Sequence, residues 1–290
     1  MSEEQNKFIK EMEESDINKM FEDEDAIEKL HLIADREQTP FESAMSTGFP
    51  IFDDSLLGGV RQGDLVVVSG ISGHGKTSFA QTLTYNLAHQ PVPCLWFSYE
   101  VNLSHIQRKF ENMSGDKIAV RTLPIFAPSK TTSGRVDWVA DKIRQGVKEQ
   151  GIKCVFIDHL DFLAPTTTRN SESNVLYLTQ IVMELKSIAL QEGVAIFLMA
   201  HVKKVSAEPE MQDIAHAAAI FQNADVVFIV YRIASETSNI VASSGDLFTN
   251  TTKIKMVKNR VTGQSKFILC TMVKDQLIEQ IDGDDLDKVF

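Results

Sequence analysis

Runs of apolar residues with no polar alternation inside them recur through the middle of the chain: Leu65–Val68, Cys94–Phe97, Cys154–Ile157, Ala195–Met199 and Val226–Val230. A strand that is apolar on both faces must be covered on both faces, which is the pattern of a parallel sheet under helices. Helical periodicity fills the gaps, at about residues 76–89, 104–113, 135–149 and 173–192. This alternation predicts a doubly wound α/β sheet, whose ligands sit at the carboxyl ends of the strands. A final strand pair, near residues 252–258 and 265–273 with Thr262-Gly263 in the turn between them, predicts an antiparallel extension of the sheet. Earlier in the chain, Asp16 can cap a helix running to about residue 35, with Ile17, Met20, Phe21, Ile27, Leu30 and Ile33 mostly on one face. Thr39-Pro40 ends it. That stripe must be buried either on its own domain or on a neighbouring subunit. The pattern thus divides the chain into an N-terminal segment (1–40), a core domain (41–280) and a tail (281–290).

Composition sharpens the division. With 290 residues and 43% hydrophobic side chains, the chain has enough apolar mass for one large core. It has no apolar run long enough to span a membrane, and its acidic, polar start does not read as a secretory or transit signal. The net charge of -11 is unevenly spread. Residues 1–40 hold 13 acidic and 5 basic side chains and residues 281–290 hold 4 and 1; removing both from the totals of 40 and 29 leaves 23 of each sign in the core. Acidic ends flanking a neutral core leave nucleic-acid binding open without announcing it. Residues 1–15 are expected to be disordered. Cys94, Cys154 and Cys270 lie far apart in apolar, strand-like surroundings, as buried free thiols do, which implies a reducing, cytoplasmic setting.

The chemistry concentrates where the strands end. The strand LVVVS runs into GISGHGKT, residues 70–77, matching the phosphate-binding pattern G-x-x-x-x-G-K-[ST] between a strand and a helix. Gly70, Ser72, Gly73, His74, Gly75, Lys76, Thr77 and Ser78 form the candidate cradle: glycines let backbone N–H groups approach phosphate, Lys76 reaches the terminal phosphates, and Thr77 offers a hydroxyl to magnesium. CVFIDHL ends a strand on Asp158, a carboxylate suited to hold that magnesium. LWFSYE leads to Glu100, a candidate general base for the hydrolytic water. His201 ends another apolar run at the same edge, either as a structural histidine or as a ligand of the γ-phosphate. The loops after Asp158 and His201 carry Arg169, Lys203 and Lys204, candidate contacts to single-stranded nucleic acid.

In this order the segments resemble the hexameric replicative helicases: the helicase domains of bacterial DnaB, mitochondrial Twinkle and phage primase-helicases. The resemblance covers roughly residues 45–280, from TGFPIFDDSLLGGVRQGD to KMVKNRVTGQ. It implies a RecA-like P-loop NTPase fold, ATP and Mg2+ as cofactors, and a DNA helicase or translocase on single-stranded DNA. Assembly as a homo-oligomer, in this family a hexamer, and association with primase or other replication proteins are implied as well. In the family, the Lys and Arg of K-x-R-x-T-G reach across to a neighbour's γ-phosphate; carried over, they are Lys258 and Arg260. Gln222 resembles the glutamine that links phosphate state to the DNA loop, Arg232 the arginine that stacks on the base, and residues 16–35 the linker helix that docks on the next subunit. His201 stands where DnaB usually carries Gln. The segment DIAHAAAIFQ, residues 213–222, departs from the family's D-L-R-G-S-G and loses a cation there. Two other readings stay open: a RadA/RecA-like recombination or mediator ATPase without unwinding, and a nucleotide-switched ring that binds protein partners.

Overall fold

A computed structural model describes residues 44–130, 135–163, 171–202, 208–214, 220, 222–234 and 248–280. The expected helix over residues 16–35, the disorder expected before it, the acidic tail, and Arg169, Lys203 and Lys204 lie outside the described residues. The expected strands and helices are present at nearly the expected bounds: β1 Leu65–Gly70, α2 Lys76–His89, β2 Cys94–Ser98, α3 Leu103–Ser114, α5 Val136–Gln150, β4 Cys154–Asp158, α6 Ser171–Glu192, β5 Ala195–His201 and β6 Val226–Ala234. The strand pair is β7 Phe248–Asn259 and β8 Lys266–Val273. Among the described residues, four short helices and strands were not expected, α1 Pro50–Ser55, α4 Lys117–Thr122, β3 Ile125–Phe126 and β9 Gln276–Glu279, nor were two 3-10 turns at Leu160–Leu163 and Met211–Asp213.

The strands join in one sheet of order β3-β2-β4-β5-β1-β6-β7-β8-β9. Pairing is parallel from β3 to β6 and antiparallel from β6 to β9. Alternate residues of the central strands feed two cores. Val66, Val68, Trp96, Phe156, Phe197 and Phe228 pack with Phe52 of α1 and Phe79 and Leu83 of α2. Leu65, Val67, Phe97, Val155, Ile157, Ile196 and Leu198 pack with α5 and α6 on the other face. Register places Trp96, Phe156 and Phe197 side by side. Their rings stack at 5.1 and 4.5 Å, each pair within 8° of parallel. Each fully buried aromatic stabilises by about 1.5–3 kcal/mol, so this row ties three strands together under the phosphate loop.

The β7–β8 turn is held by Asn259, whose Nδ2 donates to the Ser55 carbonyl at 2.7 Å and whose Oδ1 accepts from Val261 N at 2.9 Å. With Gly263 at φ +72°, this fixes the turn that carries Arg260. All three cysteines are buried and free, as their surroundings imply. No helix among the described residues is long and apolar enough to cross a membrane.

Asp64, just before β1, gives a pH-dependent expectation. Burial pushes its carboxyl up to about 6, with Asp225 adding to the rise and the Arg61 N–H, Lys186 and Arg61 charges opposing it. A carboxyl raised on folding favours the folded state when protonated; that contribution is full below about 3.8 and is lost as pH rises through about 6. Asp64→Asn should therefore raise the melting temperature above pH 7, with the difference shrinking toward pH 4. Thermal melts across that range check it, and a pH-independent difference contradicts it.

Candidate active site

Register sets the geometry. Gly70 pairs with His201 and Ser98 with Asp158, so the ends of β1, β2, β4 and β5 lie at one edge of the sheet. The loop leaving β1 requires glycine at its first position: a β-carbon on Gly70 would sit 2.2 Å from the Val230 carbonyl oxygen of the neighbouring strand. Gly73 and Gly75 also have positive φ, at +80° and +103°. Gly75 is the N-cap of α2 and supplies no side-chain cap, which leaves the helix's first N–H groups turned to the loop for an anion. Ser72 is exposed, while Thr77 and Ser78 are half-buried.

Lys76 folds back on the loop, its Nζ donating to the Gly70 and Ile71 carbonyls at 2.9 and 3.2 Å. Burial lowers its pKa, and the charges of Asp158, Glu100 and Asp161 work against that. Thr77 Oγ1 donates to Asp158 Oδ2 at 2.9 Å. Asp158 is only 1% exposed, and burial pushes its carboxyl above the ordinary range; the Thr77 hydrogen bond opposes the shift and Glu100 adds to it. A buried carboxylate beside a hydroxyl, both hard oxygen donors, fits a magnesium ion. Cis ligands of an octahedral ion with bonds of about 2.0–2.1 Å stand ~2.9 Å apart, which matches the separation here.

Glu100 lies two residues beyond β2, its side chain 46% exposed, and 3.7 Å from His159 Nε2. His159 Nε2 is 3.0 Å from His201 Nε2, and the two rings meet edge to face. Burial lowers the His201 pKa from 6.5, and the charges of Lys76 and His159 lower it further against the pull of Asp161 and Glu100. His74 accepts from the Arg232 backbone N–H at 3.1 Å and stacks on Tyr231, which pins the loop to β6.

The opposite edge of the sheet holds a second cluster. Arg260 Nη1 donates to Asp225 Oδ1 at 3.0 Å, and its Nη2 donates to the Gln222 carbonyl at 3.2 Å. Lys258 Nζ donates to the Ala224 carbonyl at 2.6 Å. Its pKa is lowered by burial and by Arg260, against Asp225. Asp225 itself is buried and also accepts from Lys186 Nζ at 2.6 Å and Leu65 N at 2.8 Å. Leu65 begins β1 and Gly70 ends it, so the strand's length, about 17 Å at ~3.3 Å per residue, separates this cluster from the phosphate loop.

The family model described as DnaB-like helicase C terminal domain matches residues 44–114 and 104–275. The chain belongs to this DnaB-like family. It is 25% identical over 236 residues to a probable replicative DNA helicase of Trieres chinensis, covering 70% of this chain and 50% of that protein. It is 26% identical over 217 residues to the replicative DNA helicase DnaC of Bacillus subtilis (strain 168), covering 66% and 47%. The chain therefore spans about half the length of these curated relatives. Among solved structures it resembles the ATPase domain of G40P, with a TM-score of 0.70, 17% identity and coverage of 89% of this chain and 100% of that one. A DnaB-like replicative helicase studied for its interactions with primase gives a TM-score of 0.68 at 17% identity, covering 88% and 67%. The fold is thus the RecA-like one that the resemblance implied.

Within this DnaB-like domain the structure brings together Gly70, Lys76, Thr77, Glu100, Asp158, His201 and the backbone of Arg232. It does not bring Gln222 to them. Gln222, expected among the nucleotide-binding residues, precedes β6 at the far edge, beside Arg260, while Val230 near the other end of β6 meets the phosphate loop. Sequence reasoning also gave His159 and Asp225 no role. His159 sits between Glu100 and His201; its signal was the position after Asp158, where a buried imidazole was easy to read as core. Asp225 directly precedes the apolar run of β6, mirroring at the amino end what Asp158 is at a carboxyl end.

Asp225→Ala leaves Lys186 without its carboxylate partner and Leu65 N without its acceptor. Removing one member of a buried pair costs about 3–5 kcal/mol, so the melting temperature should fall by on the order of 10 °C. Asp225→Asn keeps an acceptor and should lose less. Equal melting of wild type and Asp225→Ala contradicts the account.

Proposed function

We propose that this domain is the ATP-hydrolysing motor of a replicative DNA helicase, working in the cytoplasm as a ring of identical chains, in this family a hexamer, on single-stranded DNA. The observation that carries the reading is the placement of the two clusters on opposite edges of one rigid sheet. Lys258 and Arg260 cannot reach the phosphates held by their own chain's loop; they suit the phosphates held by a neighbour. In the assembled site, backbone N–H groups of residues 70–77 and the α2 N-terminus bind the phosphates, and Lys76 leaves its carbonyl partners for the terminal phosphate. Thr77 and Asp158 would hold Mg2+, which supplies charge neutralisation on the β- and γ-phosphates when bound. Glu100 takes the proton of the attacking water, and Arg260 with Lys258 stabilises the charge that develops. His201 faces the γ-phosphate position and reports its loss. Gln222, which shares Arg260's edge, then reads the neighbour's nucleotide rather than its own. The relatives named as replicative helicases support the DNA substrate, and the neighbour studied with primase supports a primase partner. Arg169, Lys203 and Lys204 are the proposed strand contacts.

Steady-state ATP turnover against protein concentration, with and without single-stranded DNA, tests this. Turnover per chain should rise with assembly and rise again with DNA, and a forked duplex should be unwound. Turnover independent of dilution rejects the shared site, and no response to DNA rejects the helicase reading.

A further inference from the structure

The contacts around His159 form a ligand set that magnesium chemistry does not use. Glu100, His159 and His201 each present one donor atom, and the three atoms lie within 4.8 Å of one another. The His159 Nε2–His201 Nε2 separation is 3.0 Å and the His159 Nε2–Glu100 Oε2 separation is 3.7 Å. Neighbouring ligands of a tetrahedral zinc ion, with bonds of about 2.0–2.1 Å, stand ~3.3 Å apart, between those two values. Two imidazoles and a carboxylate suit a borderline transition cation, whereas magnesium prefers oxygen. A second feature supports the same reading. His159 is 7% exposed, and its Nδ1 makes no hydrogen bond while lying 3.3 Å from Asp161 Oδ2. A hydrogen bond from Nδ1 to that carboxylate, formed on metal binding, would fix the tautomer that frees Nε2 for the metal.

We infer that Glu100, His159 and His201 form a site for a divalent transition cation of the zinc type, whose occupation switches ATP hydrolysis off. Binding there draws the Glu100 carboxylate and the His201 imidazole onto the cation and leaves Lys76, Thr77 and Asp158 free to hold nucleotide. The zinc-loaded protein therefore keeps ATP without cleaving it. The inhibitory half rests on Glu100 as the base; the binding half does not.

Cobalt(II) is the spectroscopic probe. Titrating the full chain with Co2+ should give visible absorption of tetrahedral intensity that saturates at one ion per chain and is displaced by Zn2+. His159→Asn should abolish it, and His201→Gln should do the same if the first variant folds poorly. Asp161→Asn should weaken binding about 10–100-fold while keeping the band. Zn2+ should inhibit ATP turnover of the wild type without displacing a fluorescent ATP analogue, and a zinc-selective chelator added in excess Mg2+ should restore turnover. Absence of a cobalt band overturns the proposal, as does a band unchanged in both histidine variants. Inhibition by Zn2+ that fades in proportion to added Mg2+ also overturns it, because the ion then competes at Thr77 and Asp158. If instead Glu100→Gln turns over like wild type with Mg2+ in buffer free of transition metals, the base assignment fails, and the cobalt spectrum still reports on the site by itself.

Discussion

Arg260→Ala should hydrolyse ATP about 10³–10⁵ times more slowly than wild type, the range for losing an arginine that stabilises phosphoryl-transfer charge from outside the nucleotide-holding loop. The loss should be kinetic rather than structural. Arg260 is 53% exposed, and its partner Asp225 keeps the bonds from Lys186 and Leu65 N when the guanidinium is gone. A half-exposed ion pair contributes about 0–1 kcal/mol, so thermal melts of Arg260→Ala and wild type should nearly coincide. Mixing decides between the two placements of the arginine. Lys76→Ala removes the phosphate ligand but keeps Arg260, and Arg260→Ala keeps a whole phosphate loop. Equal parts of these two inactive proteins should recover turnover through mixed contacts in which one chain supplies the loop and the next supplies the guanidinium. A mixture that stays inactive, although the chains associate, rejects the shared site.

Glu100→Gln should lose about 10²–10⁴ in single-turnover hydrolysis, the usual scale for a positioned general base, while binding ATP as wild type does. Its carboxylate is half exposed beyond the end of β2 and holds no core element in place, so the substitution preserves shape and removes only basicity. Fluorescent-nucleotide titration and rapid-quench hydrolysis on the same preparation separate the two quantities. A parallel fall in affinity would show that Glu100 serves binding, and an unchanged rate would move the base elsewhere.

The central sheet was legible in the sequence because its strands are buried on both sides, which writes them as uninterrupted apolar runs. The phosphate loop was legible for a different reason: each of its residue types answers a steric or charge requirement that few other sequences meet. Short elements escaped. α1 is six residues, less than two turns, and is held by Asp53 accepting from Ser46 Oγ, Thr47 N and Thr47 Oγ1 rather than by a periodic face. β9 has only four residues, and Leu277 N takes Thr82 Oγ1 as a partner. The edge that Gln222 occupies was not legible, because proximity along a motif does not say which edge of a sheet a residue takes; only the direction of β6 does. His159 was undervalued because its meaning comes from three strand-end segments meeting, and strand order is not written in any one of them.

The separation of the two clusters by the length of β1 also governs how complete sites are counted. If the site is shared as proposed, the arginine edge of one chain meets the phosphate-loop edge of the next, and chains joined through that contact stack head to tail. In an open helical stack, the terminal chain at one end offers an arginine to no one, and the chain at the other end holds ATP that no arginine reaches. A stack of n chains thus owns n − 1 working sites, and closing the seam creates the last. Turnover per chain would then report the topology of the assembly, stepping up on closure and falling when the ring is opened.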